Sequence, residues 1–314
     1  MFTRILHAAL ALVVTFSAAA PAQAAMPISS RSAPPACSQQ QAVLPGSTVK
    51  HQMESGGRER NYRVHVPDGY DAAQAWPLIV VFHGRGNTAE ATQGFSGLDE
   101  LPALVAYADG VVGTGGGDRQ AWEGAPYSAP GVDDIAFTAG LLDQVAADYC
   151  VDTTRVYATG KSNGAGFTGI LACEMADRFA AIAPVAAANY AVGHPECNPS
   201  RPVPVLAFHG SADATIPYHG DETRGLPDIP QWTAAWAARN GCHHTTRPVS
   251  LAEDVTEQRW VGCPKDSEVR LVTILGGGHT WPGADAYSGG GYTTQNVEAS
   301  ELMWNFFRHH RLPR

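Results

Sequence analysis

The amino-acid sequence predicts an α/β fold, in which a mostly parallel, twisted sheet carries helices on both faces. Two observations lead to this prediction. Short apolar, β-branched runs alternate along the chain with stretches of helical spacing, as strand–helix–strand units require. One run, residues 77–82, is apolar at every position, which is typical of a strand buried on both faces.

The strands and helices are expected in a regular order from residue 63 onward. Strands are predicted at residues 63–66, 77–82, 155–158, 181–185, 203–208 and 269–275. Helices are predicted at residues 132–149, directly after Ser162, after Pro230 and at residues 297–309. Crossovers between parallel strands are right-handed, and ligands bind beyond the carboxyl ends of such strands. Reactive residues should therefore lie in the loops that follow the strands.

The N-terminal residues have the pattern of a secretory signal. Arg4 precedes an apolar run that ends in Ala22-Gln23-Ala24, whose small residues signal peptidase accepts. We therefore expect a signal peptide at residues 1–24 and a secreted, extracellular protein. Residues 25–45 are rich in proline and serine without periodicity and are expected to form a leader. Residues 46–314 should form a single domain.

Composition limits the possible partners. The chain carries a formal net charge of −9 and has no basic block, so nucleic acid is not expected to bind. No segment after the signal is apolar for long enough to span a bilayer, so no membrane partner is expected. We expect a monomer.

The six cysteines predict disulfides. An even number in an exported chain favours paired over free thiols. No two cysteines have the C-x-x-C spacing of a zinc site, and no metal or other cofactor is expected. Six cysteines allow fifteen connectivities, of which pairing by proximity is the first hypothesis. It joins Cys173 to Cys197 and Cys242 to Cys263, and it leaves Cys37 to pair with Cys150.

A nucleophile motif follows the predicted strand at residues 155–158. Gly160-Lys161-Ser162-Asn163-Gly164 has the pattern G-x-S-x-G between a strand and a helix. A serine hydroxyl that attacks a carbonyl must stand clear of the sheet, and the tight turn that exposes it needs small neighbours. The alternative is a glycine-rich turn with an incidental serine, which this strand–turn–helix context disfavours. Ser162 is therefore the predicted nucleophile.

The serine needs a base, and the base needs a carboxylate that orients it. His279 follows a predicted strand in a glycine-rich loop, whereas the histidine pairs at residues 243–244 and 309–310 have the sequence context of surface residues. Asp213 directly follows another strand and lies between Ser162 and His279 in the chain. The order serine, acid, histidine is that of α/β-hydrolases. The predicted base is His279, and Asp213 is predicted to orient it.

Three other carboxylates compete with Asp213. Asp133 and Asp134 precede the serine in the chain, and Asp254 lies in a segment with no clear preceding strand. We interpret all three as surface or structural carboxylates.

Acyl transfer also needs backbone N–H groups that bind the oxyanion. The N–H of Asn163, at the start of the helix after Ser162, is the predicted first donor. The second is expected in the loop His83-Gly84-Arg85-Gly86, which follows an early strand. Arg85 is the first choice there, with Gly84 and Gly86 left open, and His83 is expected to brace the loop.

Together these motifs resemble a known family. The blocks FHGRGNTAE, AWEGAPYSAPGVDDIAF, YATGKSNGAGF, LAFHGSADATIPYHG and GGGHTWPG resemble the secreted feruloyl esterases of carbohydrate esterase family 1. Related groups include acetylxylan esterases and polyhydroxybutyrate depolymerases. The resemblance spans about residues 45 to 310 and implies an α/β-hydrolase catalytic domain that uses no metal. It also implies that Ser162, Asp213 and His279 occupy the catalytic positions.

The resemblance implies ferulate esters on arabinoxylan side chains as substrates, and so a feruloylated polysaccharide or oligosaccharide as partner. The chain departs from the family in having no appended carbohydrate-binding module, so we do not expect attachment to insoluble polymer. A ferulate ring would stack on aromatic walls. Trp122, Tyr218 and Trp281 are adjacent to the motifs and are the candidate substrate-binding residues. Trp232 and Trp236, four residues apart on a predicted helix, are expected in the core.

The expected reaction is hydrolysis of a carboxylic ester through an acyl-serine intermediate. Feruloyl esters are the first hypothesis for the substrate, and acetylated xylan or polyhydroxybutyrate are the alternatives. A non-enzymatic alternative is a secreted carbohydrate-binding protein on a hydrolase fold, since a fold does not prove an activity. The complete set of serine, acid and base argues against it.

Overall fold

The structure is a computed structural model that describes residues 43–190 and 197–313. These residues belong to one compact unit, Ala36–Arg314. The expected signal peptide at residues 1–24 and most of the expected leader at residues 25–45 lie outside the described residues.

Thirteen strands are present in the described residues. In chain order they are β1 Thr48–Ser55, β2 Arg58–His65, β3 Trp76–Phe82, β4 Leu104–Ala108, β5 Val111–Val112, β6 Gln120–Ala121, β7 Val151–Lys161, β8 Ala181–Val185, β9 Val205–Gly210, β10 His244–Thr245, β11 Val249–Ala252, β12 Val255–Val261 and β13 Val269–Ile274.

The same residues contain five α-helices. They are α1 Ala89–Ser96, α2 Asp134–Asp148, α3 Asn163–Glu174, α4 Ile229–Arg239 and α5 Ala299–Phe307. Two short 3₁₀ turns, Leu98–Glu100 and Glu222–Arg224, complete the helical structure of this part of the chain.

Eleven of the strands form one sheet. Its order is β1-β2-β4-β3-β7-β8-β9-β13-β12-β10, with β11 paired to β12, while β5 and β6 form a separate ribbon. The six central strands, from β4 to β13, are parallel to their neighbours. The outer strands β2 and β12 join this centre in antiparallel fashion. A mostly parallel sheet with helices on it confirms the predicted α/β class.

Each face of the sheet carries its own apolar core. Side chains of a strand alternate between the faces, and in β3 Val80 belongs to one core whereas Val81 belongs to the other. The first core includes Phe137 of α2, Phe167 of α3 and Trp236 of α4. The second core includes residues of α1 and α5. The helices therefore cover both faces, as the continuous apolar runs predict.

The predicted central strands are present, with small shifts in their ends. The expected strand at residues 203–208 is β9, which begins and ends two residues later. The central strand β4 was not predicted, and neither were the antiparallel strands outside the centre, except for the end of β2. In β1 the side chains alternate between exposed and half-buried positions, so this strand lacks the apolar run by which the central strands can be recognised.

Two of the three expected disulfides lie within the described residues. Cys173 is bonded to Cys197, and Cys242 is bonded to Cys263. Cys150 is also disulfide-bonded. Its expected partner, Cys37, lies outside the described residues, so that pairing stays a prediction.

No helix in residues 43–190 and 197–313 has the length and apolar character needed to cross a membrane.

Candidate active site

Ser162 occupies a strained turn between β7 and α3. Its backbone has φ 57° and ψ −119°, a left-handed conformation that L-residues other than glycine rarely adopt. The surrounding backbone holds this conformation, because the Ser162 N–H donates to the Val185 carbonyl at 3.0 Å and its carbonyl accepts from Gly166 and Ala188 at 2.9 Å each. Strain of this kind costs of order 1–3 kcal/mol and persists where the fold imposes it.

The glycines of the motif are required by close approach of backbone. A Cβ added at Gly160 would collide with the Phe82 carbonyl oxygen, and one added at Gly164 would collide with the carbonyl oxygens of Phe82 and His83. The turn can therefore lie against the end of β3 only because both positions lack a side chain.

Asp213 and His279 form a hydrogen-bonded pair at the carboxyl ends of β9 and β13. The distance from His279 Nδ1 to Asp213 Oδ2 is 2.7 Å. Both side chains are buried, with Asp213 4% and His279 7% exposed. The other oxygen of Asp213, Oδ1, accepts the backbone N–H groups of Thr215 and Ile216 at 2.8 Å each. The carboxylate is thus fixed in orientation and aimed at the imidazole.

The electrostatics of this pair suit a general base. The pKa of the Asp213 carboxyl is lower than usual. Burial alone would raise it, but the hydrogen bond and charge of His279 and the hydrogen bond from the Ile216 N–H together outweigh the effect of burial. Burial lowers the pKa of His279, and the hydrogen bond to the Asp213 carboxylate acts in the opposite direction. The positive charge of Lys161 lowers the pKa of His279 further. The imidazole is therefore neutral at neutral pH and can accept a proton at Nε2.

The loop of His279 is clamped by a second segment of backbone. The His279 N–H donates to the Gly290 carbonyl at 2.8 Å, and the Gly278 N–H donates to the Tyr292 carbonyl at 2.9 Å. A Cβ at Gly278 would collide with the Gly290 carbonyl oxygen. The glycine run before His279 is thus required by packing as well as by the turn.

Ser162 lies at the same edge of the sheet, at the end of β7. Within the described residues its hydroxyl makes no hydrogen bond to His279. Such bonds are often long or misaligned in a site without substrate and tighten when substrate binds. The serine–histidine contact stays a prediction.

The candidate oxyanion donors have free N–H groups. Among the described residues, no acceptor pairs with the backbone N–H of Arg85 or Asn163. The Gly86 N–H, left open as an alternative, already donates to the Gln120 carbonyl at 2.8 Å and is excluded as the second donor. Gly84 lies directly against the nucleophile, since a Cβ there would be 3.3 Å from Ser162 Cβ.

Side chains around this loop hold it in place. The Arg85 guanidinium lies 4.1 Å from the centre of the Tyr127 ring, and its Nη2 donates to the Thr114 carbonyl at 3.2 Å. His83 bridges Gly84 and Gly110, with Nδ1 2.8 Å from the Gly84 carbonyl and Nε2 accepting the Gly110 N–H at 2.9 Å. His83 therefore braces the loop, as expected.

The Asn163 side chain has a role that sequence reasoning missed. Its Oδ1 accepts the Trp122 N–H at 2.7 Å, and its Nδ2 donates to the Trp122 carbonyl at 3.3 Å. These two hydrogen bonds join the start of α3 to the loop before α2. The asparagine inside the G-x-S-x-G motif was the available signal, because a side-chain amide can pair with both the N–H and the carbonyl of one residue.

The competing carboxylates have structural partners. Asp133 caps α2 by accepting the Ala136 N–H at 2.7 Å, and the buried Asp134 pairs with Arg60 at 2.8 Å. Asp254 accepts hydrogen bonds from Tyr292 and Asn296. This agrees with their interpretation as structural residues.

An apolar cavity of about 480 Å³ lies along one face of α3, and its lining includes Asn163, the residue that follows Ser162. Helix α3 contributes Asn163, Gly166, Phe167, Ile170 and Cys173 to its wall, which are spaced as residues on one helix face should be. Ala188, whose N–H binds the Ser162 carbonyl, also lines it. The cavity wall therefore includes two direct neighbours of Ser162, although Ser162 itself is not a lining residue.

The predicted aromatic residues do not line this cavity. Trp122 is 0% exposed, stacks on Phe167 and donates from Nε1 to the His83 carbonyl at 2.9 Å. Trp281 is 1% exposed and belongs to the core on the opposite face of the sheet. Tyr218 is half-buried and pairs through its hydroxyl with Thr273 at 2.8 Å. None of the three lines this cavity, and their role as substrate-binding residues stays a prediction.

Two tryptophans assigned to the core line the cavity instead. Trp232 and Trp236 of α4 both contribute to the wall, and their rings meet edge to face at 6.1 Å. Trp236 is also buried in the first core, as expected, whereas Trp232 is only partly buried. A Cβ at Gly169 would lie 3.4 Å from the Trp232 ring, so the missing side chain at Gly169 leaves this ring uncovered.

Several polar side chains interrupt the apolar wall, among them Asn189 and Glu123. Asn189 is 91% buried, and its Nδ2 has no hydrogen-bond partner in the described part of the chain. Burial raises the pKa of Glu123 to about 7, and the neighbouring charges of Asp134 and Asp133 contribute to the shift. The Glu123 carboxylate accepts the Asp134 N–H at 2.8 Å. The cavity thus suits an apolar ligand that carries a hydrogen-bond acceptor.

No group of three or more His, Cys, Asp or Glu side chains in residues 43–190 and 197–313 is arranged to hold a metal ion.

Comparison with known proteins relates the chain to esterases, although no protein-family profile matches it. It is 32% identical over 237 residues to feruloyl esterase B of Piromyces equi, an alignment that covers 70% of this chain and 42% of that protein. It is 30% identical over 269 residues to the putative esterase NocK of Nocardia uniformis subsp. tsuyamanensis, with 77% of this chain and 76% of NocK covered.

A solved structure shows the fold. The acetyl xylan esterase from Aspergillus awamori superposes with a TM-score of 0.55 at 15% sequence identity, and the match covers 82% of this chain and 99% of that one. At this identity the likeness shows the α/β-hydrolase fold and carries no statement about substrate.

Proposed function

This chain belongs to the feruloyl esterases of carbohydrate esterase family 1, and from that premise we propose that it hydrolyses feruloyl esters with Ser162, His279 and Asp213 as its catalytic residues. The observation that carries the proposal is the buried Asp213–His279 pair at the same sheet edge as the strained Ser162 turn. An oriented base at the same sheet edge as a serine is the arrangement that nucleophilic catalysis on a carbonyl requires.

The reaction proceeds in two matched halves. His279 Nε2 takes the Ser162 proton as Oγ attacks the ester carbonyl, and Asp213 stabilises the imidazolium that forms. The N–H groups of Asn163 and Arg85 bind the oxyanion, because neither has another acceptor among the described residues. His279 then protonates the leaving alcohol, which leaves an acyl group on Ser162. Water, activated by His279, repeats the attack and releases the acid.

The cavity along α3 is the proposed acyl site. Its volume of about 480 Å³ falls in the range of pockets that bury whole aromatic ligands, roughly 300–1,000 Å³. An acetyl group would leave most of this space unfilled. The uncovered Trp232 ring offers a stacking surface for a flat acyl group, and Asn189 Nδ2 offers a donor to an oxygen on that group. This combination favours an aromatic acid over acetate or hydroxybutyrate.

The proposed substrate is a feruloylated cell-wall polysaccharide or oligosaccharide, met outside the cell by a monomer. Two disulfides in the described residues support export, because such bonds persist in oxidising compartments. The proposed signal peptide at residues 1–24 and the single catalytic domain at residues 46–314 complete this assignment.

A side-by-side assay tests the proposal. Initial rates are measured on methyl ferulate, acetylated xylan and a polyhydroxybutyrate film with the same enzyme preparation. We expect kcat/KM for methyl ferulate to exceed the value for the acetyl ester. Faster release of acetate would assign the chain to the acetylxylan esterases, and turnover of the film alone would assign it to the depolymerases.

A further inference from the structure

Lys161 precedes the candidate nucleophile and is buried. It is the last residue of β7, where it pairs with Val185 of β8, and only 5% of it is exposed. Lysine is almost never buried to this extent without a partner, because removing an ammonium ion from water is costly. Yet no carboxylate lies within ion-pair distance of Nζ among the described residues, and no hydrogen bond to Nζ is present there.

The Lys161 side chain ends against the loop of the candidate base. A Cβ added at Gly289 would lie 2.8 Å from Lys161 Nζ and would also collide with the His279 carbonyl oxygen. Nζ and the backbone of His279 are therefore close neighbours around Gly289. The position of Nζ depends on Gly289, since any side chain at Gly289 would displace either Nζ or the His279 carbonyl.

In the part of the chain that the structure describes, three ionisable groups interact electrostatically with His279. Asp213 is held as a carboxylate by its hydrogen bonds, and its negative charge stabilises the imidazolium and so raises the pKa of His279. His209 Nε2 is 2.8 Å from the Ile216 carbonyl, and burial lowers its pKa, so it contributes no charge near neutral pH. Lys161 is the remaining group, and it is the positive one.

We propose that Lys161 is a positioning residue that sets the proton affinity of His279. Its ammonium repels the imidazolium and thereby keeps the base neutral at lower pH than Asp213 alone would allow. The enzyme gains activity on the acid side of its pH range. This inference rests on the proposed function, in which neutral His279 is the active form.

The direction of the effect follows from charge alone. A neighbouring positive charge lowers the pKa of a histidine, so its removal raises that pKa. Because the base must be neutral, the acid limb of the kcat/KM profile then moves to higher pH. Burial also lowers the pKa of Lys161 itself to about 8, with Asp213 acting in the opposite direction. The ammonium is therefore present throughout the acid limb.

The test compares Lys161→Met, which keeps an unbranched side chain one atom shorter and removes the charge, with Lys50→Met on the exposed face of β1. Profiles of kcat/KM on methyl ferulate are recorded from pH 4 to 9. For Lys161→Met we expect the acid midpoint to rise by about one pH unit, which corresponds to about tenfold lower kcat/KM well below the midpoint. Lys50→Met should leave the midpoint unchanged. An unchanged or lowered midpoint in folded Lys161→Met would overturn the proposal.

A direct titration separates this inference from the proposed function. The His279 ring is followed by NMR in the wild type and in Lys161→Met, with His279→Gln identifying its signal. We expect the pKa of His279 to be higher in Lys161→Met. If the pKa of His279 is higher in Lys161→Met but the acid limb of kcat/KM does not move, Lys161 has the proposed effect and His279 is not the base. If the pKa of His279 is the same in both proteins, the proposed effect of Lys161 is refuted.

If Lys161→Met does not fold, the wild type and Lys161→Arg provide a second test. The signal of neutral His279 should show a further step near pH 8, where Lys161 loses its proton. Lys161→Arg, which keeps the charge, should keep the acid midpoint of the wild type. A flat His279 signal through pH 7 to 9 would overturn the proposal.

Discussion

The two sides of Ser162 differ in how they are built. On the side of the sheet edge, Asp213 and His279 are buried, charged or polar, and held by hydrogen bonds from backbone groups. On the side of α3, the cavity is apolar, spacious and shaped by small residues such as Gly166 and Gly169. From this difference we propose that the reaction and the choice of acyl group depend on separate sets of residues.

This separation has an experimental consequence. A change at the sheet edge should lower the turnover of every ester by the same factor, because it alters proton transfer or nucleophilic attack. A change in the cavity should alter the ratio between a bulky and a small ester, because only the bulky acyl group reaches its wall. Methyl ferulate serves as the bulky ester and an acetyl ester of the same alcohol as the small one.

The largest effect is expected for Ser162→Ala. Loss of such a nucleophile lowers kcat on the order of 10⁶-fold, and both esters should lose equally. The turn should keep its fold, because alanine replaces serine without adding volume. Steady-state rates and circular dichroism check the two parts. A variant that kept a tenth of the wild-type rate on either ester would identify another nucleophile.

Asp213→Asn should have the next largest effect. The amide cannot stabilise the imidazolium and favours the wrong tautomer of His279, which lowers kcat by roughly 10⁴-fold in comparable triads. The matched control is Asp254→Asn, a competing acid that is bonded to Tyr292 and Asn296. We expect the control to stay within a few-fold of the wild type. Comparable losses in both variants would remove Asp213 from its assigned role.

Trp232→Ala tests the cavity. Stacking contributes roughly 0.5–1.5 kcal/mol beyond buried area, so kcat/KM for methyl ferulate should fall about 3- to 10-fold or more while the acetyl ester changes little. Trp122→Phe is the matched control, because Trp122 is buried between Phe137 and Phe167 and touches no acyl group in this account. It should lower Tm and affect both esters alike.

The outcome that contradicts the cavity assignment is equally specific. If Trp122→Phe changed the ratio of the two esters and Trp232→Ala did not, the acyl site would lie elsewhere than along α3.

The smallest effect is expected at the disulfide Cys173–Cys197. Both cysteines line the far end of the cavity, and the bond ties the end of α3 to the chain at residue 197. The double replacement by serine should cost about 2–4 kcal/mol of unfolding free energy. It should lower kcat/KM for methyl ferulate a few-fold with no change for the acetyl ester. Equal activity on both esters would mean that the bond supports only the fold.

The sequence was informative where function depends on local structure. The strand–turn–helix context of Ser162 and the glycines around it are read directly from neighbouring residues, and both are required by backbone approach in the structure. Asp213 and His279 could be chosen because each follows a central strand, and parallel strands bring their carboxyl ends to one edge.

The cavity could not be predicted in the same way. Trp122 is near the site in sequence but is enclosed by α2 and α3, whereas Trp232 lies on a distant segment that the fold brings over α3. Which ring is uncovered depends on the absent side chain at Gly169, a tertiary fact with no local signal. The outer antiparallel strands were missed because their side chains alternate with solvent instead of forming apolar runs.

The most direct test of the central claim is capture of the acyl-enzyme. The protein is mixed with an activated feruloyl ester, quenched in acid before deacylation, digested and analysed by mass spectrometry. We expect one feruloyl group per chain, carried by the peptide that contains Ser162 and absent from Ser162→Ala. A feruloyl group on another residue, or its persistence in Ser162→Ala, would show that Ser162 is not the nucleophile.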